Sequence, residues 1–361
     1  MTLRRALMLV SDLVDEPKRS LALSGGCPLP EYLVLERDYG VDLLDWSQLP
    51  GHGTGRSRIG SIQHVLAAAR RASRYEVLLS DGEHVGLPLA LAKRALGLRA
   101  AHVVIAHHLT TPRKARAFGM LKARRGISAL VVHSPRQREL AQSMLDVPRS
   151  MLEEIPYGID CEFWLPQASG EEPLVVAAGR ENRDYSTLAA ACADLPVKVF
   201  IAGGSRFSPG STWTTPATWP PNFECRRVDY LQLREKYARA QVVVIPVLQT
   251  DFQAGITSVL EAMAMGKAVV TTETVGRQPA VRDGYTGLLV PPGDPWALRE
   301  VVSKLLRDPA ERARLGANAR RAVLACYSVE AYSRRLAGAL GLVSENPHAA
   351  AASSAAAVRA G

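Results

Sequence analysis

The stretch "EPLVVAAGRENRDYSTLAAA", residues 172–191, opens on an apolar, β-branched run, breaks at Gly179-Arg180 and passes into a helix-like segment. The same succession recurs along the chain. In the first half the runs are "RALMLV" (5–10), "YEVLLSD" (75–81), "AHVVIAH" (101–107) and "ISALVVHS" (127–134). In the second they are "EPLVVAAG" itself, "VKVFIAGG" (197–204), "AQVVVIPV" (240–247) and "KAVVTTE" (267–273). Strands apolar on both faces, alternating with helical stretches such as Leu87 to Leu96, imply parallel sheets covered by crossover helices. The expected class is α/β, with two doubly wound, Rossmann-like parallel-sheet domains.

Composition is consistent with that. With 361 residues, 47% of them hydrophobic and 22% charged, the chain is ample for two cored domains. Its apolar runs, such as Val242 to Val247, fall far short of the roughly 18 residues that a membrane-spanning helix needs. The start "MTLRRALMLVSD" carries no small-residue cleavage site after its apolar run and reads as a first buried strand. Five cysteines (Cys27, Cys161, Cys192, Cys225 and Cys326) form no Cys-x-x-Cys pair, which argues against a disulfide framework or structural zinc and fits a reducing cytoplasm. A net charge of +9 favours anionic partners.

Pro, Gly and mixed polar residues interrupt all periodicity in "EEIPYGIDCEFWLPQASGEEP" (153–173), the expected joint between the halves. The expected divisions are 1–167, 168–327, a C-terminal helix at 328–343 packing back on the first domain, and a disordered Ala/Ser-rich tail at 344–361.

In doubly wound sheets, ligands sit at the carboxyl ends of strands, where glycine lets backbone approach a phosphate and helix N-termini offer N–H groups. "AAGRENRDY", "IAGGSRF" and "FQAGITS" in the second half have that character. Arg180 and Arg183 lie directly past a strand end, where they read either as a diphosphate clamp or as solvated loop arginines. Glu261 stands on an otherwise apolar helix in "DFQAGITSVLEAMAMG" (251–266). An unpaired carboxylate there costs several kcal/mol, so it calls for a partner or a ligand.

The order of these segments resembles the nucleotide-sugar glycosyltransferases of the GT-B fold, specifically glycosyltransferase family 4. The resemblance rests on "VVHSPRQRELAQSMLDVPRSMLEEIPYGIDCEFWLP" (131–166) with its Pro-x-Gly-x-Asp turn at Pro156, Gly158 and Asp160, on the glycine-arginine loop, and on "DGYTGLLVPPGDPWALREVVSKLLRDPAERARLGANARRAV" (283–323). It implies two domains facing across a cleft, 1–167 on the acceptor side and 168–327 holding a nucleotide sugar of UDP or GDP type. It also implies transfer with retention by a hexosyltransferase-like enzyme.

Residue by residue, the resemblance places Glu261 at the second acid of the family's E-x7-E motif, on the donor ribose. The first acid is replaced by Gln253, near the hexose. Ala254, Gly255, Ile256 and Thr257, with Gly203 and Gly204, would line the donor. Arg180 and Arg183 would take the diphosphate, Arg183 as the nearest substitute for the family's missing lysine. His107, ending "HVVIAHHLTTP", matches the family's histidine facing the donor sugar; Glu83, His84 and His108 lie on the acceptor side. No Asp-x-Asp triplet occurs, so no metal is expected and no other cofactor is required.

The acceptor is an unidentified hydroxyl compound of saccharide, lipid-linked or natural-product type, and no nucleic acid is expected. "PRKARAFGMLKARRG" (112–126) carries Arg113, Lys114, Arg116, Lys122, Arg124 and Arg125 without an acid, which suits an anionic membrane surface, a charged acceptor or a solvated helix face. The expected location is thus the cytoplasm or the inner membrane face. "SRFSPGSTWTTPATWPPNF" (205–223) is a long Pro-, Ser- and Thr-rich loop. Two other readings remain: a non-catalytic nucleotide-sugar binding or partner subunit, suggested by Gln253, and a sugar-nucleotide epimerase of the same fold.

Overall fold

A computed structural model of the chain describes residues 4–50, 58–203, 214–277 and 279–343. Gly204, the greater part of the 205–223 loop and the 344–361 tail lie outside them. The chain divides into two compact units, one of Met1–Gly25, Leu29–Gly158 and Val329–Gly361, the other of Gly26–Pro28 and Ile159–Ser328. The second unit begins ahead of the expected residue 168 for a packing reason. Trp164 is buried, with its ring 6.3 Å from that of Tyr230 and 5.7 Å from that of Tyr237, and Phe163 packs edge-on against it. Asp160 starts this segment by accepting the N–H groups of Glu162 and Phe163, each at 2.9 Å, so the acid of the Pro-x-Gly-x-Asp turn is a capping group.

In the first unit β1 (Ala6–Leu9) leads through α1 (Glu16–Leu23) and α2 (Glu31–Tyr39) to β2 (Asp42–Leu44). Then come α3 (Arg58–Arg71), β3 (Val77–Ser80), α4 (Glu83–Ala95), β4 (Ala101–Ile105), α5 (Pro112–Met120), β5 (Ala129–Val132), α6 (Pro135–Leu145) and β6 (Leu152–Glu154). The second unit runs β7 (Leu174–Ala178), α7 (Tyr185–Cys192), β8 (Lys198–Ala202), β9 (Phe223–Arg226), α8 (Tyr230–Arg239), β10 (Val242–Ile245), α9 (Ile256–Ala264), β11 (Ala268–Thr272) and β12 (Leu288–Val290). It closes with α10 (Pro295–Arg307) and α11 (Pro309–Cys326), after which α12 (Val329–Ala339) returns to the first unit and packs on α2.

Each unit holds one six-stranded sheet, in the orders β2-β1-β3-β4-β5-β6 and β12-β11-β10-β7-β8-β9, with every pairing parallel. The central strands are buried along their length because helices cover both faces, as the valine-rich runs require. Strand order reverses between β1 and β3 in one sheet and between β7 and β10 in the other. These reversals open the crevices where such sheets bind ligands.

Helix starts follow local chemistry. Asp15, Ser134, Asp184, Asp229, Asp294 and Asp308 each cap a helix by accepting a backbone N–H of its first turn. At α9 the approach of α11 is set by Gly316, where an added Cβ would stand 1.9 Å from the Gly266 carbonyl oxygen. Gly316→Ala is therefore expected to destabilise the fold by about 1–3 kcal/mol through overpacking. The measurement is the urea midpoint, and an unchanged midpoint would show that this contact yields without cost.

Candidate functional site

The second unit's site is built at its strand reversal. Past the end of β7 the chain turns at Gly179, whose φ of +100° is open to glycine, and Arg180 follows, half-buried. The field of Arg180 reaches Cys225 on β9, countering the burial that pushes that thiol up. Arg183 turns the other way. It is 4% exposed, donating Nε–H to the Ala178 carbonyl at 2.8 Å and Nη1–H to the Glu181 carbonyl at 2.6 Å. The solvated-loop alternative thus does not hold for Arg183, whose guanidinium is drawn beneath the loop by backbone acceptors.

Past β10 lies the other half of the site. Gly255, with φ +79°, heads α9 and has no side chain with which to cap it, so the helix start presents backbone N–H groups and the positive end of its dipole. Gln253 is buried, Ala254 and Gly255 are half-buried, Ile256 is buried and Thr257 is exposed. A small pocket lined by Val247, Ala254, Val259, Thr272 and Arg277 opens beside them. Gly203, at the end of β8, donates its N–H to the Ile201 and Arg226 carbonyls.

Glu261 sits one turn further along α9, half-buried, and accepts the Tyr237 hydroxyl at 3.4 Å. Burial pushes its carboxyl up to about 7, against the pull of Tyr237 and of Arg183. Tyr237, which burial and Glu261 raise well above its ordinary value, stays a hydroxyl donor. The acid thus has partners, yet it is held close to neutrality and ready to gain from further donors.

The first unit gathers a separate set of polar groups where β1, β3 and β4 end. Ser11 donates both its N–H and its hydroxyl to Asp81, stitching β1 to β3. His107 donates Nε2–H to the Asp81 carbonyl at 2.8 Å, and its Nδ1 shares a 2.5 Å hydrogen bond with the Tyr157 hydroxyl. The ring of Tyr157 lies on His133, centroids 3.8 Å apart. Burial, with the charge of His107, drives His133 down to about 3. Both ring nitrogens of His107 are therefore spent within the fold. His108 and His84 are half-buried nearby, the latter in the first turn of α4.

Glu83 is buried rather than turned outward. Its carboxylate accepts the N–H groups of His107 (3.0 Å) and His108 (3.2 Å) and the ammonium of Lys114 (2.5 Å). Burial opposes ionisation, but His107, Lys114 and these hydrogen bonds outweigh it and hold the group at about 2. The folded value lies below the unfolded 4.5, so the ion contributes stability that is full above pH 4.5 and is lost as pH falls through 2. Glu83→Gln is expected to cost up to about 3 kcal/mol at pH 7, with the gap to wild type narrowing toward pH 2 in urea titrations. A gap independent of pH would rule out the charged cradle.

Tyr157, Asp81 and Tyr237 touch candidate site residues and were not singled out in the sequence. Tyr157 stands inside the Pro-x-Gly-x-Asp turn, but nothing in the turn announces a partner 50 positions earlier. Asp81 closes a strand run, and a polar residue past a buried strand end is the one signal that pointed to it. Among the described residues no group of three His, Cys, Asp or Glu side chains could hold a metal ion. No helix among them is long and apolar enough to cross a membrane.

Comparison with known proteins gives this arrangement a context. Residues 173–308 match the family model for glycosyl transferases group 1. A D-inositol 3-phosphate glycosyltransferase of Xylanimonas cellulosilytica is 26% identical over 226 residues, 54% of this chain and 52% of the relative, so the chain spans about half the length of that curated relative. The alpha-maltose-1-phosphate synthase of Mycobacterium tuberculosis is 26% identical over 323 residues, 74% of this chain and 79% of that one. Among solved structures, sucrose-phosphate synthase of Thermosynechococcus elongatus superposes with a TM-score of 0.70 at 20% identity, covering 93% of this chain and 98% of that chain. Anabaena HepE in complex with UDP-glucose superposes at 0.69 with 15% identity, covering 94% and 100%. Residues 173–308 are thus similar to the glycosyl transferases group 1 family, and the chain carries the GT-B fold.

Proposed function

We propose that the protein is a glycosyltransferase that moves a sugar from a nucleotide diphosphate donor to a hydroxyl acceptor with retention at the sugar carbon, and without a metal. The observation that carries this reading is the meeting, at the β7/β10 reversal, of an uncapped helix start, a glycine-arginine loop and a half-buried carboxylate. Arg180 and the N–H groups of residues 255–258 take the diphosphate, and Glu261 accepts the ribose hydroxyls. Gln253 is the hexose contact, where its amide offers donors in place of a charge. Charge developing on the leaving diphosphate is met by positive groups already in place, which is how a site without a covalent nucleophile lowers a barrier.

The acceptor belongs to the first unit, and a saccharide-type hydroxyl compound is the class that the relatives' names suggest. A UDP-type donor is supported by the HepE complex. His107, with both nitrogens engaged, serves by presenting a fixed ring edge and backbone rather than by moving a proton. On the same unit Leu96, Met120 and Leu121 are exposed beside Arg94, whose guanidinium holds the Leu121 and Lys122 carbonyls. With the basic residues of 113–125 they form an apolar-tipped cationic patch suited to an anionic membrane face.

The test is a panel of UDP- and GDP-sugars, followed by nucleoside diphosphate release with and without saccharide acceptors. Acceptor-dependent release supports the reading. Calorimetric donor binding with no release across the panel would move the protein to the nucleotide-sugar binding subunit that Gln253 also suits.

A further inference from the structure

We propose that Arg183 is a positioning residue: its buried guanidinium joins the loop after β7 to the head of α9 and supplies the counter-charge facing Glu261, and it does not touch the diphosphate. The inference rests on the nucleotide reading above and narrows it, because an arginine just past a strand end would otherwise be taken as a phosphate ligand.

The geometry is specific. Nε and Nη1 are committed to the Ala178 and Glu181 carbonyls. The guanidinium fills the space that two left-handed glycines leave: a Cβ on Gly179 would stand 2.2 Å from Nη2, and one on Gly255 would stand 3.3 Å from Nη1. One side chain therefore underlies both loops of the proposed donor site. The backbone around it is stitched to the end of β10. Asp184 donates to the Pro246 carbonyl at 3.0 Å, Leu248 donates to the Asn182 carbonyl at 2.9 Å, and Arg183 bridges to Val247. A side chain so enclosed cannot swing out to a ligand without opening the strand reversal itself.

Its charge acts in the same direction. Glu261 is faced by the Tyr237 hydroxyl from α8 and by the field of Arg183 from the β7 loop. Ser258, on the same helix as Glu261, bonds to Tyr237. The helix α11, which packs along α9, brings Arg320, but that guanidinium is spent on the Ala264 and Trp164 carbonyls at the helix's other end. Burial of Arg183 lowers its own pKa, while Tyr185, Tyr237, Glu181 and Glu261 oppose that, so the cation and the acid sustain one another. A ribose diol offers two O–H donors, and an ionised carboxylate accepts both where a protonated one does not.

The experiment compares uridine with uridine diphosphate, or the guanosine pair if wild type prefers it, by calorimetry between pH 6 and 9 on wild type, Arg183→Met and Arg183→Lys. Arg183→Met is expected to weaken nucleoside and nucleoside diphosphate by the same factor, about fivefold at pH 7 and approaching tenfold at pH 6, as a rise of one pKa unit in an acid near 7 requires. The loss shrinks toward pH 9. Arg183→Lys, which keeps the charge, is expected to keep the wild-type pH profile and the wild-type ratio of the two affinities. In a Glu261→Gln background Arg183→Met should add little to the loss of uridine affinity. A loss confined to the diphosphate, with uridine unchanged in either variant, overturns the proposal and leaves the nucleotide reading standing. A wild-type protein that binds no nucleoside diphosphate overturns both. If Arg183→Met does not fold, the affinity ratio in Arg183→Lys carries the same decision.

Discussion

Glu261→Gln is expected to make the ligand-free protein more stable at pH 8 while weakening its nucleotide affinity by at least about tenfold, the value of one charge-assisted hydrogen bond. Burial holds the wild-type carboxyl at about 7, above the unfolded 4.5. Below pH 4.5 the group is protonated in both states and costs nothing. As pH rises from 4.5 through 7 the unfolded chain ionises first, so stability is lost, up to about 3 kcal/mol, and less to the extent that water reaches the half-buried group. The amide does not titrate. Urea midpoints of the two proteins should therefore lie close together at pH 4.5 and diverge at pH 8 in favour of the variant. Calorimetry with the nucleoside diphosphate gives the other arm, and unchanged affinity in a folded variant removes Glu261 from the site. The sign is opposite to that at Glu83, whose ion stabilises the fold. One carboxylate belongs to the scaffold, and the other is held at a cost that, on the proposed function, ligand binding would offset.

Arg180→Ala should lower turnover by about two to three orders of magnitude while changing donor affinity by only a few fold. Arg180 follows the turn at Gly179, past the end of β7, and is half-buried rather than sunk under the loop like Arg183. A cation there gains most as negative charge grows on the leaving diphosphate, and loss of one such preorganised group carries a penalty of that size. Interactions that strengthen only in the transition state appear in kcat, not in ground-state binding. Steady-state kinetics with separate donor titrations decide the matter. Equal losses in binding and in turnover would make Arg180 an ordinary phosphate ligand, and Arg180→Lys should recover part of the rate because the charge is kept.

Eight apolar runs in the sequence correspond to β1, β3, β4, β5, β7, β8, β10 and β11. The strands that the runs did not reveal are β2, β6, β9 and β12, and each stands at an edge of its sheet. Edge strands here are three or four residues long and β9 is largely exposed, so they carry no continuous apolar signal. The joint between the units was visible only as lost periodicity, since the burial of Trp164 against Tyr230 and Tyr237 involves residues more than sixty positions away.

What the sequence determined by itself is the α/β class, its two halves, and the place of Glu261 on an apolar helix behind a glycine turn. These follow from signals that are local in the chain: runs of branched apolar residues, glycine at strand ends, and helical periodicity. Tertiary structure alone decided the direction of each side chain past those strand ends. Arg180 and Arg183 are three residues apart and chemically identical, yet one is half-buried and the other is sunk beneath the loop. The difference arises because β10, distant in sequence, pairs beside β7 and brings Gly255 against the guanidinium. In the same way Tyr157 reaches His107, and Glu83 meets Lys114, only because a parallel sheet sets distant strand ends side by side.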